Sequence, residues 1–207
     1  NFEKIPLSGR PLSLFDSVKL TWVQITKIEP KSILFSPGFN APLFILRPYI
    51  FCVMDLNHID IEENKNVFKK IYYNIIIKRA VRNSEFVLTI SDYFKHRISE
   101  WANVSPNKII NVSCGVDNCF KPLRTSRNTD KHYFLCVSNR KKHKNEFRII
   151  EAFSRARLPG NVELVFSGLC SEELSDLIEC LKLGDRVRFE GSLDESDLVR
   201  LYQEAAG

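Results

Sequence analysis

The chain has 207 residues, 44% hydrophobic and 27% charged, with 8 glycines and 9 prolines, a globular composition long enough for one large domain or two small ones. The net charge of +5 suits anionic ligands or an anionic membrane surface, and is too weak to argue for nucleic acid without a concentrated basic stripe. The six cysteines contain no CxxC pair, and the four histidines do not stand at zinc-finger spacing from them. Lying mostly in apolar or helical segments, the cysteines read as reduced thiols that act as small hydrophobes.

In chain order, Phe15, Val18, Trp22 and Ile25 recur at helical spacing, predicting a helix that Pro30 ends. "SILFS" reads as a short strand and "YIFCVMD" as a buried one. Together with its neighbours the latter forms the longest apolar run, "PLFILRPYIFCVM". Arg47 and Pro48 break that run, and it falls short of the ~18–20 residues a membrane span requires. No signal-peptide pattern opens the chain, so a soluble or peripheral protein is expected. Over 66–83 the spacing predicts a helix that buries Phe68, Ile71, Tyr72, Ile75, Ile76 and Ala80. Its other face would carry Lys69, Lys70, Lys78, Arg79 and Arg82.

"EFVLTIS" is the next strand, with Ser91 placed to cap a helix that carries Phe94, Ile98 and Trp101. "KIINVSC" follows, closed by "GVDNCFKPL". Residues 122–131 are polar and lack apolar periodicity, which predicts a linker. Three strand–helix units come after it. "YFLCVS" leads to a helix with Phe147, Ile150 and Phe153. "VELVFSG" leads to one with Leu174, Leu177, Ile178 and Leu181, stopped by Gly184. "RVRFEG" leads to one with Leu198, Leu201 and Tyr202. Apolar strands alternating with amphipathic helices predict an α/β fold of two Rossmann-like units with parallel sheets, residues 1–124 and 125–207.

The chemistry concentrates in "CVSNRKKHKNEF", between a strand and a helix. Ligands of such sheets sit at the carboxyl ends of the strands. A helix starting near Asn145 leaves its first N–H groups unpaired and a partial positive charge at its end. Lys144 adds a full charge, and Arg140 could add a bidentate fork. A hydrated lysine-rich loop fits the same residues equally well. The clustered cations repel one another and Glu146 is the one acid nearby, so without a counter-anion the turn is expected to be mobile. No GxGxxG or GxxxxGK[ST] loop occurs, which disfavours a Rossmann dehydrogenase or a P-loop NTPase.

In their order along the chain, "FVLTISDYFKHRI", "NKIINVSCGVDNCFKPL", "YFLCVSNRKKHKNEFRIIEAF", "LVFSG" and "DRVRFEGSLDESDLVRLYQEA" resemble the family 4 retaining glycosyltransferases of GT-B fold. The likeness runs from about Leu34 to the end. Cys114 stands where the family commonly has Asn, and Phe120 falls one residue early. The resemblance implies a hexosyltransferase that uses a nucleotide-diphosphate-sugar donor, with mannose one candidate sugar, and a glycan or lipid-linked acceptor in surface polysaccharide synthesis.

It further implies that Lys144 contacts the donor diphosphate with Arg140 as its nearest partner. The family's arginine position falls at Ser138 and Asn139. Gly168, Ser192, Leu193 and Glu195 would complete the donor site, with the nucleobase against 192–195. No cofactor or metal is expected, and no Asp-x-Asp motif argues for one. A cytoplasmic location is implied, and the basic face of helix 66–83 motivates peripheral contact with the inner face of a membrane. Asp55 stands in the family's His-Asp pair, but Met54 replaces the His; His58 is close in sequence without needing to reach the same point. Met54 reads either as an ordinary core residue of an active variant or as a sign of lost activity. The parts of the family that would precede Asn1 and follow Gly207 are missing, so the chain is expected to be an internal fragment that is inactive alone. A degenerate nucleotide-sugar-binding module and a nucleotide-sugar epimerase of the same fold are the alternatives.

Overall fold

Four short strands make the first sheet: β1 (Leu34–Ser36), β2 (Tyr49–Cys52), β3 (Phe86–Thr89) and β4 (Ile109–Asn111). All pairs are parallel and the spatial order follows the sequence, β1-β2-β3-β4. The computed structural model describes residues 3–5, 14–61, 67–121 and 132–206. These fall into two units, Asn1–Gly115 and Val116–Gly207. No described helix is long and apolar enough to cross a membrane.

Parallel strands need crossovers. The β1–β2 connection carries no helix, and α1 (Leu14–Thr26) precedes β1. Further along, α2 (Asn57–Asp60) and a long run from Val67 to Asn83 join β2 to β3, and α5 (Asp92–Ala102) joins β3 to β4. Tyr49 and Phe51 from β2, Val53 just after it, Val87 from β3 and Ile109 from β4 build a core closed by Ile98 and Ala102 of α5. Fully burying one such Val, Ile or Phe contributes about 1.5–3 kcal/mol. Ser91 caps α5 as its sequence predicts, accepting a hydrogen bond from the Phe94 N–H at 3.3 Å.

Two helices of this unit depart from the periodicity that predicts them. In α1 the apolar stripe faces outward: Phe15, Val18, Trp22 and Ile25 are all more than half exposed. Leu20 and Val23 are buried, and so are Ser17 and Gln24. The polar groups on this side replace backbone partners. Gln24 Nε2 donates to the Phe44 carbonyl at 2.9 Å, and its Oε1 accepts from the N–H groups of Leu46 (2.9 Å) and Arg47 (3.2 Å). Ser17 Oγ donates to the Tyr72 hydroxyl at 3.4 Å. The strandless segment 43–47 needs hydrogen-bond partners, and α1 turns its polar side to supply them.

The long run is not a single α-helix. An α-helical start, α3 (Val67–Tyr72), passes into a π-helical stretch, Tyr73–Ile77, before α4 (Lys78–Asn83). The wider π turn changes the period, so the buried set is Tyr72, Tyr73, Ile76, Ile77, Ala80 and Val81. Of the expected inner face only Tyr72, Ile76 and Ala80 are buried, while Phe68, Ile71 and Ile75 lie on the exposed side.

The second unit holds β5 (His132–Cys136), β6 (Val162–Phe166) and β7 (Val187–Phe189), parallel and in the order β5-β6-β7. Central β6 is covered on both faces, hence its run of apolar residues. Leu164 and Phe166 pack with α6 (Glu146–Arg155) and α7 (Glu172–Cys180), through Ile150, Phe153, Leu174 and Ile178. Val165 faces Tyr133 and Leu201 of α8 (Glu195–Glu204). The stop of α7 is Lys182, not Gly184. Lys182 sits in the left-handed region at φ 53°, and the Leu183 N–H closes on the Ile178 carbonyl at 2.9 Å.

The boundary expected near residue 125 and the linker at 122–131 lie outside the described residues. The segment just ahead of them belongs with the second unit. Phe120 packs edge-on against Tyr202 at 5.4 Å, and Gln203 Nε2 donates to the Lys121 carbonyl at 2.9 Å. All six cysteines are free thiols, but Cys114, Cys119, Cys170 and Cys180 are exposed rather than packed among hydrophobes.

Candidate functional site

The carboxyl ends of β5, β6 and β7 converge in the second unit, and the sequence after β5 makes two left-handed corners. Arg140 (φ 61°) and Asn145 (φ 59°) take that conformation, enclosing a single 3-10 turn, Lys142–Lys144. Such a corner costs a non-glycine residue roughly 1–2 kcal/mol. At Arg140 the cost is offset by its side chain. Nε donates to the Leu169 carbonyl at 2.8 Å, one terminal nitrogen donates to the Ser167 carbonyl, and the other is ion-paired to Glu146. The guanidinium also lies over the rings of Phe189 (5.0 Å) and Phe166 (5.5 Å), which stack on each other at 5.0 Å.

This changes the expectation for the turn in two ways. Arg140 does not offer a free fork, because each of its three nitrogens already donates to the protein. The turn also has an anchor and one internal counter-charge, Glu146, so mutual repulsion of its cations does not leave it without a fixed point. Lys141, Lys142, His143 and Lys144 are the exposed charges and potential charges, and no described acid pairs with any of the three lysines.

Behind the turn, α6 begins at Asn145 without a side-chain cap. The contrast within this unit is clear. Ser171 caps α7 by accepting from the Leu174 N–H at 3.4 Å, and Asp194 caps α8 by accepting from the Asp197 N–H at 2.8 Å. The Asp194 carboxyl is held below the usual carboxylate range, first by that N–H and then by the Ser196 hydroxyl. In its left-handed conformation Asn145 cannot fold its amide back over the turn as an extended Ser or Asp does. The first N–H groups of α6 therefore remain open to an external acceptor, with the helix dipole behind them.

The floor is made by the next two strand ends. Ser138 N–H donates to Ser167 Oγ at 3.2 Å, and Gly168 N–H donates to the Gly191 carbonyl at 2.9 Å. Both glycines have positive φ, 79° and 67°. Ser138 Oγ is buried without a hydrogen-bond partner. Cys136, at the end of β5, has its thiol pushed up by burial.

A pocket of about 160 Å³ opens between the turn and the first turns of α6 and α7, bordered by Arg140, Lys141, Lys142, Glu146, Phe147, Ser171, Glu173 and Leu174. Of the residues expected at the site, only Arg140 borders it. Ser138, Asn139, Lys144, Gly168, Ser192 and Leu193 all follow strand ends of the same sheet edge. Leu193, however, turns its side chain into the cluster of Tyr133, Val165 and Leu201. Ser192 is exposed, and so is Glu195, whose Oε1 lies 3.9 Å from Cys119 Sγ. Sequence reasoning missed Glu146 as the partner of Arg140. It also missed Ser171 and Glu173, although Ser171 followed by two acids ahead of Leu174 is a legible helix start.

In the first unit, Asp55 follows β2 and accepts from Asn57 twice, from its N–H at 3.0 Å and from its side-chain amide at 2.9 Å. Met54 is 42% exposed between buried Val53 and Leu56, so it is not a core residue. His58 sets its ring edge-on to Tyr73 at 5.5 Å, with Nδ1 buried and unpartnered. Among the described residues, no three His, Cys, Asp or Glu side chains are grouped so as to hold a metal ion.

Residues 121–206 match the family Glycosyl transferases group 1. No curated protein matches the chain in sequence. Solved structures share its fold, GT-B-like with two parallel-sheet units. A sucrose-phosphate synthase from Thermosynechococcus elongatus is 15% identical, with a TM-score of 0.66 over 90% of this chain and 51% of that one. A glycosyltransferase from Rickettsia africae is 17% identical, with a TM-score of 0.61 over 99% and 57%. HepE from Anabaena, solved with UDP-glucose, is 21% identical, with a TM-score of 0.56 over 75% and 44%. The chain thus spans about half the length of the structures it matches.

Proposed function

We propose that the chain is part of a retaining glycosyltransferase of family 4, and that its second unit holds the diphosphate of a nucleotide-sugar donor. The observation that carries this reading is the uncapped N-terminus of α6, set at the carboxyl edge of the sheet behind a lysine-rich turn. The group 1 match over 121–206 supports it. So does the UDP-glucose bound by HepE, a protein of like fold.

The chemistry follows from the charges. When the bond between the sugar and the β-phosphate breaks, the electron pair stays on the departing diphosphate. The α6 N–H groups, held by the helix, and the exposed Lys144 side chain are positive partners for that developing charge and lower the barrier without a metal ion. A hexose such as mannose, passed to a glycan or lipid-linked acceptor in surface polysaccharide synthesis, is the transfer we assign.

Calorimetric titration with UDP, GDP and ADP tests the reading. Lys144→Ala should weaken the nucleotide that binds the parent by about 1.5–3 kcal/mol, the worth of a hydrogen bond to a charged group. Unchanged affinity would return the turn to a solvated loop.

Met54 favours a second reading, a module that binds nucleotide sugar without transfer. Its exposed thioether stands at the end of β2 and can neither donate a strong hydrogen bond nor carry a proton. Sugar transfer by the full-length protein, compared with Met54→His, separates the two; brisk turnover by the parent removes the module. We also assign peripheral membrane contact to the exposed side of the 67–83 run, where Lys70, Arg79 and Arg82 stand among Phe68, Ile71 and Ile75. Sedimentation with anionic vesicles at low salt tests it, and absence of binding removes it.

A further inference from the structure

Glu146 is the first residue of α6 and only 5% exposed, so a carboxylate is buried in the very turn whose open N–H groups would receive a phosphate. Left bare, that charge would oppose any anion arriving there. It is not bare. Arg140 pairs with it, and the pair is shielded, with side-chain exposures of 20% for Arg140 and 6% for Glu146. The arginine cannot easily leave. Two carbonyls, of Ser167 and Leu169, hold its other nitrogens, and the rings of Phe166 and Phe189 cover its plane. Even the backbone is committed, because the left-handed corner at Arg140 is what turns the side chain back across the strand ends.

We propose that Arg140 is a positioning residue that masks Glu146 and ties together the ends of β5, β6 and β7, rather than a ligand of the diphosphate. The net positive charge of the turn then comes from Lys141, Lys142 and Lys144 alone. This rests on the reading of the turn as the diphosphate site, and it assigns a different task to the residue that the sequence puts forward as a phosphate fork.

The masking role has a signature that a direct contact or a purely structural contact lacks: removing the carboxylate must cure the loss of the arginine. UDP, GDP and inorganic pyrophosphate are titrated into the parent chain, Arg140→Met, Arg140→Lys, Glu146→Gln and the double variant Arg140→Met/Glu146→Gln. Melting is followed by circular dichroism in each. Arg140→Met exposes the ligand to an unpaired carboxylate and should lose about tenfold or more in affinity. Arg140→Lys keeps the counter-charge and should stay within about threefold of the parent. The double variant should return to within about threefold while still melting lower, since the carbonyl and ring contacts remain lost.

A double variant as weak as Arg140→Met overturns the masking role. Should Arg140→Met fail to fold, Glu146→Gln decides. Equal or tighter binding supports the proposal, and a tenfold loss refutes it. A parent that binds none of the three probes overturns the diphosphate reading itself, and the masking role with it. Binding by the parent without rescue sinks the masking role alone.

Discussion

Replacing Gly168 by alanine isolates one quantity at the floor of the site, backbone strain. An alanine Cβ there would meet Arg140 Nη2 at 3.5 Å, an ordinary van der Waals contact, so no side chain has to move. What remains is φ at 79°, a region that costs an L-residue about 1–2 kcal/mol. Alanine also restricts the unfolded chain, which offsets about 0.4–1 kcal/mol of this. The net loss should therefore be close to 1 kcal/mol. For a unit of this size that lowers the melting temperature by about 4–8 °C. Circular dichroism melts and urea titration of both proteins measure it, and the urea slope should be unchanged because the same surface is exposed on unfolding. Gly168→Val adds a branched side chain in the same corner and should fall further, pressing on Arg140 as well. A Gly168→Ala protein that melts with the parent would refute the left-handed assignment. A loss several times larger would mean that the floor is tighter than a 3.5 Å approach implies.

Other outcomes follow from the same geometry. Gln24→Ala strips partners from three backbone groups and should cost about 1–3 kcal/mol in urea unfolding, whereas Trp22→Ser on the outer face of α1 should stay within about 0.5 kcal/mol. A larger loss for Trp22 than for Gln24 would reverse the orientation of that helix. Ser171→Ala removes the α7 cap and should cost about 1 kcal/mol by the same assay. Asp194→Ala should show a pH dependence of definite sign. The folded carboxyl is held below its unfolded value of about 3.9, so its stabilisation is complete above that pH and fades as pH falls through the folded value. The gap in melting temperature between the parent and Asp194→Ala should thus be widest near neutrality and close on acidification. A gap unchanged at pH 2 contradicts it.

The second unit was legible because its strands are short, largely apolar runs and its helices keep most of their predicted stripe inside, although Phe147 and Tyr202 of those stripes are exposed. Ile150 and Phe153, Leu174 and Ile178, and Leu201 are buried where periodicity puts them. The lysine-rich turn was legible as a turn for the same reason: a strand end, a cluster of cations and a helix start are local signals. What escaped is what depends on partners distant in sequence or on a break in period. The outward stripe of α1 cannot be read from its spacing, because the polar side is chosen by the hydrogen-bonding needs of residues 43–47. The π turn cannot be read from a 3.6-residue template. Glu146 stands plainly beside the turn, yet its pairing with Arg140 depends on the left-handed corner, the Ser167 and Leu169 carbonyls and the two stacked rings, which only the assembled sheet brings together.

The stretch Tyr73–Ile77 has a consequence for how this helix tolerates change in length. A π turn accommodates one surplus residue, and each residue of an α-helix advances about 100° around the axis. Excising a single residue from this stretch would regularise the winding and leave the turns on either side on their present faces, because the wide turn already absorbs the surplus residue. Phe68 and Ile71 would stay on the exposed side and Tyr72 on the buried one, whereas removing a residue from a regular α-helix rotates everything before it by about 100°. The wide turn is thus the place in this rod where the loss of one residue preserves which side is wet and which is dry.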